Sequence, residues 1–496
     1  MKILLVNPPH LQKLGLFPKS VFQPIGLAYL ASSLIKKGHQ VSILDALGKG
    51  WKKISKIDSD LQLIGLNYEE IRKYIKTFNP DLVGIGAPFT MQSQSAFWIA
   101  KTVKKANPKI ITAIGGPHVT SSPKECLKNQ SVDFAIIGEG ETTFLELAQT
   151  LENKKQNFKN ILGLGWKNNN NIFINPKRPP IANLDSLPFP ARHLLPMTAY
   201  FEAAKSMRTG RKELLGKRSA VVITSRGCPY RCTFCVSHHL WGQIWRPRSP
   251  ENVVDEIEEL IKKYQVNHIH FEDDNLTFSK ERIAKICDLI ITRRLKFTWD
   301  TPNGIRADTI DEKTLIKMKL SGCKELCVAP ESGNQYVVDH IIKKRVNLKK
   351  IEDVVRICKK IGIKIEAFFV IGSVGETKEQ IKDTLIYARK LKKMGCRRCH
   401  FHIATPFKGT ELYELAKKNN YLKDDCNCIK LETPRIETPE FTCQEIDELF
   451  KEGIKINPAI PFDKLSLAFK LLLIDPLKFF KTAFRYLIKR QGGLSS

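Results

Sequence analysis

The sequence predicts an α/β protein in three parts: an N-terminal doubly wound domain, a central partial (β/α)6 barrel of TIM type, and a helical C-terminal part. Three observations carry this. Short apolar runs alternate with helical stretches twice along the chain, once on either side of a proline-rich segment. The runs are continuously apolar rather than alternating, the pattern of parallel strands covered on both faces. And 496 residues exceed what one ordinary core organises, so two or three domains are expected.

In the first part, strand-like runs at 3–6, 41–44, 82–85, 110–114 and 134–137 alternate with helical segments at 26–37, 93–105 and 142–151. Several strands end in loop formers: Asn7-Pro8-Pro9, Gly86-Ala87-Pro88, Gly115-Gly116-Pro117-His118 and Gly138-Glu139-Gly140-Glu141. Open α/β sheets bind ligands beyond the carboxyl ends of their strands. Glycine there lets backbone approach a ligand closely, so these loops predict a site for a large ligand. No Gly-x-Gly-x-x-Gly follows the first strand, which argues against a dinucleotide.

A linker runs from Asn175-Pro176-Lys177-Arg178-Pro179-Pro180 through Leu187-Pro188-Phe189-Pro190. Beyond it, strand runs recur at 220–224, 268–271, 297–300, 326–329, 365–371 and 400–404, with helices at 252–264, 280–293, 312–319, 348–360 and 378–394 between them. Six βα units are too few for a closed eightfold barrel and predict an open one, with working groups at the strand C-termini. The expected boundaries are 1–155 for the first domain, 156–212 for the linker, 213–412 for the barrel and 413–496 for the helical part.

Composition narrows the function classes. Hydrophobic residues make up 42% and charged residues 26%, the profile of a globular protein. The net charge of +29 invites a nucleic-acid reading, but the lysines are dispersed and form no basic tail, so solvated helix faces explain them and no nucleic acid is expected. The amino terminus has no signal-peptide pattern, and the longest apolar segment, 465–474, is interrupted by Lys470 and too short to span a bilayer. The 13 irregularly spaced cysteines do not read as a disulfide framework, and a cytoplasmic location is expected.

The most specific signal is Ser225-Arg226-Gly227-Cys228-Pro229-Tyr230-Arg231-Cys232-Thr233-Phe234-Cys235, three cysteines within eight residues directly after the first barrel strand. Clustered thiolates select zinc or iron–sulfur chemistry. A structural zinc site wants four ligands, and His238 could serve as the fourth in that reading. Three cysteines on a four-iron cluster instead leave one iron open. The spacing resembles the signature of radical S-adenosylmethionine (SAM) enzymes, in which the open iron chelates the SAM amino and carboxylate groups.

That resemblance implies roles residue by residue. Cys228, Cys232 and Cys235 match the ligands of a 4Fe-4S cluster, and Phe234 the aromatic beside the SAM adenine. Phe271-Glu272-Asp273-Asp274-Asn275 resembles the acidic motif near the SAM amino group, with Asp273 and Asp274 both eligible. Glu331 and Ser332, in Pro330-Glu331-Ser332-Gly333, match the ribose and methionine contacts, and Gly372 the adenine strand. The alternative for each carboxylate is an ordinary helix cap.

The pairing with an upstream α/β domain resembles the cobalamin-dependent branch of the family, which includes class B radical SAM methyltransferases and the magnesium-protoporphyrin oxidative cyclase. It implies a Rossmann-like cobalamin-binding first domain with contacts from Pro8, Thr90, Gln92, Gly115, Gly116, His118, Gly138, Glu139 and Gly140. The Asp-x-His-x-x-Gly motif of classical cobalamin enzymes is absent, so Thr90-Met91-Gln92-Ser93-Gln94 is expected near the lower corrin face, with water or His118 as the cobalt's lower ligand. The implied activity is methyl transfer from methylcobalamin to an unactivated carbon, after a 5′-deoxyadenosyl radical from SAM removes a hydrogen; cobalamin-dependent oxidation or cyclisation, or a corrinoid- or metal-binding protein without turnover, are the alternatives. No side chain is expected to act as general acid or base. The implied partners are a small-molecule or lipid-like substrate and a low-potential donor such as flavodoxin or ferredoxin. Two features stay outside this picture. The late cysteines Cys396, Cys399, Cys426, Cys428 and Cys443 do not match an auxiliary-cluster spacing and read as small buried hydrophobes. The stretch 477–490 is a cationic amphipathic helix that either packs on the barrel or lies on a membrane surface.

Overall fold

The first strand, Lys2–Asn7, buries Ile3, Leu4, Leu5 and Val6 completely, as a strand covered on both faces requires. It is the second-last strand of a seven-stranded sheet in a computed structural model that describes residues 1–14, 21–87, 89–153, 157–168, 171–205, 217–424 and 433–457. The five parallel strands of that sheet are Lys2–Asn7, Gln40–Asp45, Leu82–Gly86, Ile111–Gly115 and Phe134–Ile136. Numbered along the chain, they lie in the order 2-1-3-4-5. The order reverses between Lys2–Asn7 and Leu82–Gly86, and doubly wound folds bind ligands in the crevice at that switch point.

Three features were not expected from sequence. The sheet runs on past residue 155 through an antiparallel pair, Leu164–Asn168 and Asn171–Ile174, so the expected linker begins inside the first sheet. These strands are short and meet at asparagines, Asn168 and Asn171, which hides them from a search for apolar runs; Trp166 stacked on Phe173 at 4.6 Å holds them. Helix Tyr68–Phe78 buries only Ile71 and Ile75 and is fixed at its start by a capping box between Asn67 and Glu70. A small antiparallel sheet joins His10–Lys13, Ile54–Lys56 and Leu61–Ile64.

The second sheet has six parallel strands in sequence order: Ser219–Val222, His268–Phe271, Thr298–Ile305, Cys323–Glu331, Lys364–Ile371 and Arg398–Ile403. This is the open six-unit barrel. Its first edge is covered by the other half of the molecule. The Gln23 amide donates to Ser219 O at 3.1 Å and accepts from Val221 N at 3.4 Å, standing in for a missing strand. The barrel helices start at dedicated caps: Ser249, Ser279, Asp311, Asn347 and Thr377 each accept a backbone N–H, worth about 1 kcal/mol apiece. Asp273, Asp274 and Glu331 therefore are not the N-caps of the helices that follow them.

Helices Glu411–Lys418 and Cys443–Lys455 follow the barrel. The amphipathic stretch 477–490, Cys426 and Cys428 lie outside the described residues. Among those described, no helix is long and apolar enough to cross a membrane.

Candidate active site

The three-cysteine loop is closed at its base by a two-residue antiparallel ribbon, Ser225–Arg226 with Arg246–Pro247. Gly227 follows the ribbon at φ +87°, and a Cβ there would lie 2.3 Å from Ile244 O, so only glycine lets the chain turn into the loop. The far side is tied down by Thr233 N–H donating to Ile342 O (3.0 Å) and Leu412 N–H donating to Thr233 O (2.9 Å). Cys228, Cys232, Cys235 and Phe234 are half-buried, and all three thiols are free. Enclosure pushes Cys232 up to about 12 and Cys235 to about 11, so loading a metal on them releases protons.

At the end of strand His268–Phe271 the two aspartates separate. Asp273 is buried and accepts from Thr224 N (3.1 Å), Thr224 Oγ1 (2.8 Å) and Ser225 Oγ (2.5 Å), with Arg282 alongside. It braces the stem of the cysteine loop. Asp274 is open to solvent but walled by protein; that partial desolvation lifts its carboxyl to about 6, opposed by a hydrogen bond from Ser237 and reinforced by Asp273. Sequence left both eligible, and Asp274 is the one with an accessible carboxylate. Glu331 stands at φ +65°, a strained position for a side-chain-bearing residue, and pairs with Lys344 at 2.6 Å. Ser332 is buried against Thr384 Oγ1 at 2.8 Å and caps Asn334 N, so its hydroxyl serves the fold. Gly372 and Ser373 donate their N–H groups to Glu376.

At the carboxyl end of the first sheet, Pro8 is buried beside the switch point. Gly115 and Gly116 are half-exposed, and Thr120 links two of the glycine loops by accepting from Gly138 N (3.0 Å) and donating to Gly116 O (3.1 Å). His118 is buried; its Nδ1 lies 3.3 Å from Thr90 Oγ1 and its ring meets Phe97 edge-on. Burial lowers its pKa. Two expected ligand contacts have other partners. Gln92 accepts from Leu11 N and donates to Leu11 O, pinning the strand His10–Lys13. Glu139 is taken by Arg226 and Arg246 and by the N–H of Ile181. Both have one cause: a buried polar side chain finds protein partners, which spacing in the sequence does not reveal.

The loops of the two sheets meet. Glu139 and Glu141 pair with Arg226, Lys408 pairs with Glu125 at 2.8 Å, and Lys177 donates to His239 O. Arg226, Arg246 and Glu141 were not singled out from sequence, although Arg226 and Glu141 lie in motifs that were. A further unexpected group lies lower in the barrel, where His268, His270 and Asp300 are buried together, with His270 Nδ1 2.7 Å from Asp300. That separation is a hydrogen bond rather than a ligand spacing, and the two imidazoles hold the Asp300 carboxyl well below the usual range against its burial. Cys396 and Cys399 are buried with sulfurs 4.0 Å apart, as small core residues.

Comparison with known proteins agrees with this arrangement. Residues 14–148 match the B12 binding domain and residues 222–388 the radical SAM superfamily. The chain is 35% identical to an uncharacterized methyltransferase, PH0819, of Pyrococcus horikoshii, over 91% of both chains. It is 33% identical to the cytidylyl-2-hydroxyethylphosphonate methyltransferase of Streptomyces wedmorensis, over 83% of this chain and 80% of that one. The chain belongs to the cobalamin-dependent radical SAM enzymes. Its fold matches that of the radical SAM methyltransferase TsrM from Kitasatospora setae, with a TM-score of 0.64 at 18% identity over 84% of this chain and 76% of the other. The apo form of the cobalamin-dependent SAM radical enzyme OxsB gives 0.69 at 17% identity over 99% and 71%.

Enzymes of this family use a 4Fe-4S cluster, SAM and cobalamin, act on small molecules and draw electrons from an external reductant. The residues present fit those groups. Three free thiols on one loop are the soft donor set an iron–sulfur cluster takes. Asn275, next to Asp274, is buried with neither amide atom partnered. Gly138 has open space where a Cβ would stand, a cradle for a bulky ligand.

Proposed function

We propose that the chain is a methyltransferase that places a methyl group on an unactivated carbon of a small molecule. The observation that carries this is the contact between the glycine loops of the first sheet and the three-cysteine loop of the barrel. When bound, the cluster and SAM supply a radical and cobalamin supplies the methyl group. The protein's part is holding, orienting and shielding. Cys228, Cys232 and Cys235 hold the cluster and leave one position for SAM; Asp274, Glu331 and Phe234 face SAM, with Lys344 fixing the Glu331 carboxylate. Pro8, Gly115, Gly116, Gly138 and Gly140 receive cobalamin through backbone and open space, with Thr90 and His118 bonded to each other beside them. Two relatives above 30% identity are named methyltransferases, which favours methyl transfer over the reaction of the anaerobic magnesium-protoporphyrin IX monomethyl ester cyclase of Rubrivivax gelatinosus, 27% identical over 78% of this chain. The electron donor is of the flavodoxin or ferredoxin class, the location cytoplasmic, and the cationic 477–490 stretch is the segment for peripheral membrane contact.

The test is anaerobic turnover of protein reconstituted with iron, sulfide and cobalamin and stripped of free corrinoid, given reductant and SAM with a deuterated methyl group. Retained cobalamin that acquires the label, with 5′-deoxyadenosine formed only when the three cysteines are intact, supports the reading. Deoxyadenosine without retained cobalamin overturns it.

A further inference from the structure

The ribbon that closes the cysteine loop carries two arginines in direct register, Arg226 opposite Arg246. Both reach across to one loop of the other sheet. Arg226 Nη1 lies 3.2 Å from Glu139 Oε2, its Nη2 lies 2.6 Å from Glu141 Oε1, and Arg246 Nη2 pairs with Glu139 Oε1. All four side chains are buried. The Arg226 guanidinium lies over the rings of Tyr29, from the first domain, at 5.4 Å and Trp241, from the cysteine loop, at 5.0 Å. The connecting segment joins the same node: Ile181 N–H donates to Glu139 at 3.1 Å, and Ile181 O accepts from Arg246 at 2.6 Å.

Two positive and two negative groups make this node neutral, and its worth lies elsewhere than in bulk stability. Buried ion pairs give little net stability over apolar packing but are directional, and their best-attested use is to fix register. A planar guanidinium that forks onto two carboxylates fixes orientation as well as distance. The two ends of the node are the residues next to the candidate ligands: Arg226 stands two positions before Cys228, and Glu139 and Glu141 alternate with Gly138 and Gly140.

We propose that Arg226, Arg246, Glu139 and Glu141 form a positioning clamp that sets the separation and orientation of the corrin-facing glycine loop relative to the cluster loop. The clamp rests on the proposed function in that its two ends hold cobalamin and the cluster. None of the four touches a reacting atom; they act through the loops they join. A second buried node supplies the control. Glu256, on the first barrel helix, pairs with Arg192 and Arg248; Arg248 also meets Tyr29 Oη at 3.2 Å, so this node borders the clamp while none of its three charged groups belongs to a glycine loop or to the three-cysteine motif.

Two measurements test this on the full chain. In reconstituted protein, the reduced cluster speeds the spin relaxation of cob(II)alamin to a degree set by their separation, read by electron paramagnetic resonance. Glu139→Gln and Arg246→Lys are expected to retain both cofactors in full amount while that enhancement falls severalfold, and Glu256→Gln to lower the melting temperature without changing it. Unchanged enhancement in both clamp variants, or an equal fall in Glu256→Gln, overturns the clamp. Hydrogen–deuterium exchange on protein without cofactors is the second measurement. It decides the matter also if a clamp variant does not load or the wild type binds no cobalamin, which is the failure of the proposed function rather than of the clamp. Glu139→Gln is expected to raise exchange together in 138–141 and 225–248; a rise in only one of the two segments, or in neither, overturns the clamp. If Glu139→Gln does not fold, Arg246→Lys is read the same way.

Discussion

Both sheets present their working loops at the carboxyl ends of parallel strands, but the two ends are built from opposite materials. The first sheet offers glycine, proline and backbone, and its two loop carboxylates, Glu139 and Glu141, are neutralised by arginines. The barrel offers three thiols, the accessible carboxylate of Asp274 and the Glu331–Lys344 pair. A large rigid ligand is recognised by the space left for it, whereas a metal cluster is recognised by donor atoms. The first end should therefore be sensitive to side-chain volume and the second to side-chain identity.

The largest break in that comparison comes from changing identity at constant volume. Cys228→Ser, Cys232→Ser or Cys235→Ser is expected to abolish iron–sulfur absorption and deoxyadenosine formation while cobalamin retention stays at the wild-type level. Cobalamin lost in step with the cluster would show that the two ends are one site rather than two. Next in size is Asp273→Asn. Asp273 is buried and accepts three donors with Arg282 alongside, so Asp273→Asn turns an NH2 toward donors that have no other acceptor there, at a cost of about 3 kcal/mol read by chemical denaturation. Asp274→Asn should leave stability near wild type and weaken SAM binding instead. The reverse result would exchange the two assignments.

A pH-dependent difference of roughly 3 kcal/mol is expected from Glu376→Gln. Burial pushes the Glu376 carboxyl up to about 7, although Gly372 and Ser373 donate to one of its oxygens; the other oxygen is enclosed without a partner. The sign follows from the folded protein holding this proton more tightly than the unfolded chain. The wild type is favoured below the ordinary glutamate range and loses that stability as pH rises from about 4.5 to 7. Glutamine keeps an acceptor for the two N–H groups and has no proton to lose. Denaturation profiles of the two proteins should coincide near the acidic end and diverge above it, the variant being the more stable; parallel profiles would refute the assignment.

The fold was legible because continuous apolar runs such as Ile3 to Val6 mark strands covered on both faces, and six such runs after the linker are six barrel strands. The strand pair around Asn168 and Asn171 was not, because short, half-exposed strands leave no periodicity. The cysteine loop was legible because its ligands are close in sequence. The roles of the acidic residues were only half legible. Asp273 and Asp274 are neighbours with the same chemistry, and only folding shows that one turns inward to Thr224 and Ser225. The Glu139–Arg226 pair spans 87 positions, and nothing at either end announces the other.

The smallest effect sharpens the comparison most. Gly116 and Gly138 both hold left-handed backbone, at φ +129° and +78°. A Cβ at Gly116 would lie 2.6 Å from Ala87 O, so Gly116→Ala has to move backbone and should disturb the loop whether or not a ligand is present. A Cβ at Gly138 meets nothing within 4 Å. Gly138→Ala therefore carries only the left-handed cost, about 1–2 kcal/mol, and adds one methyl group to open space. If that space is where cobalamin lies, Gly138→Ala should lower cobalamin retention more than its small loss in melting temperature accounts for, with cluster content unchanged. If retention falls only in proportion to stability, the glycine serves the turn alone, and the first sheet recognises its ligand elsewhere than at this loop.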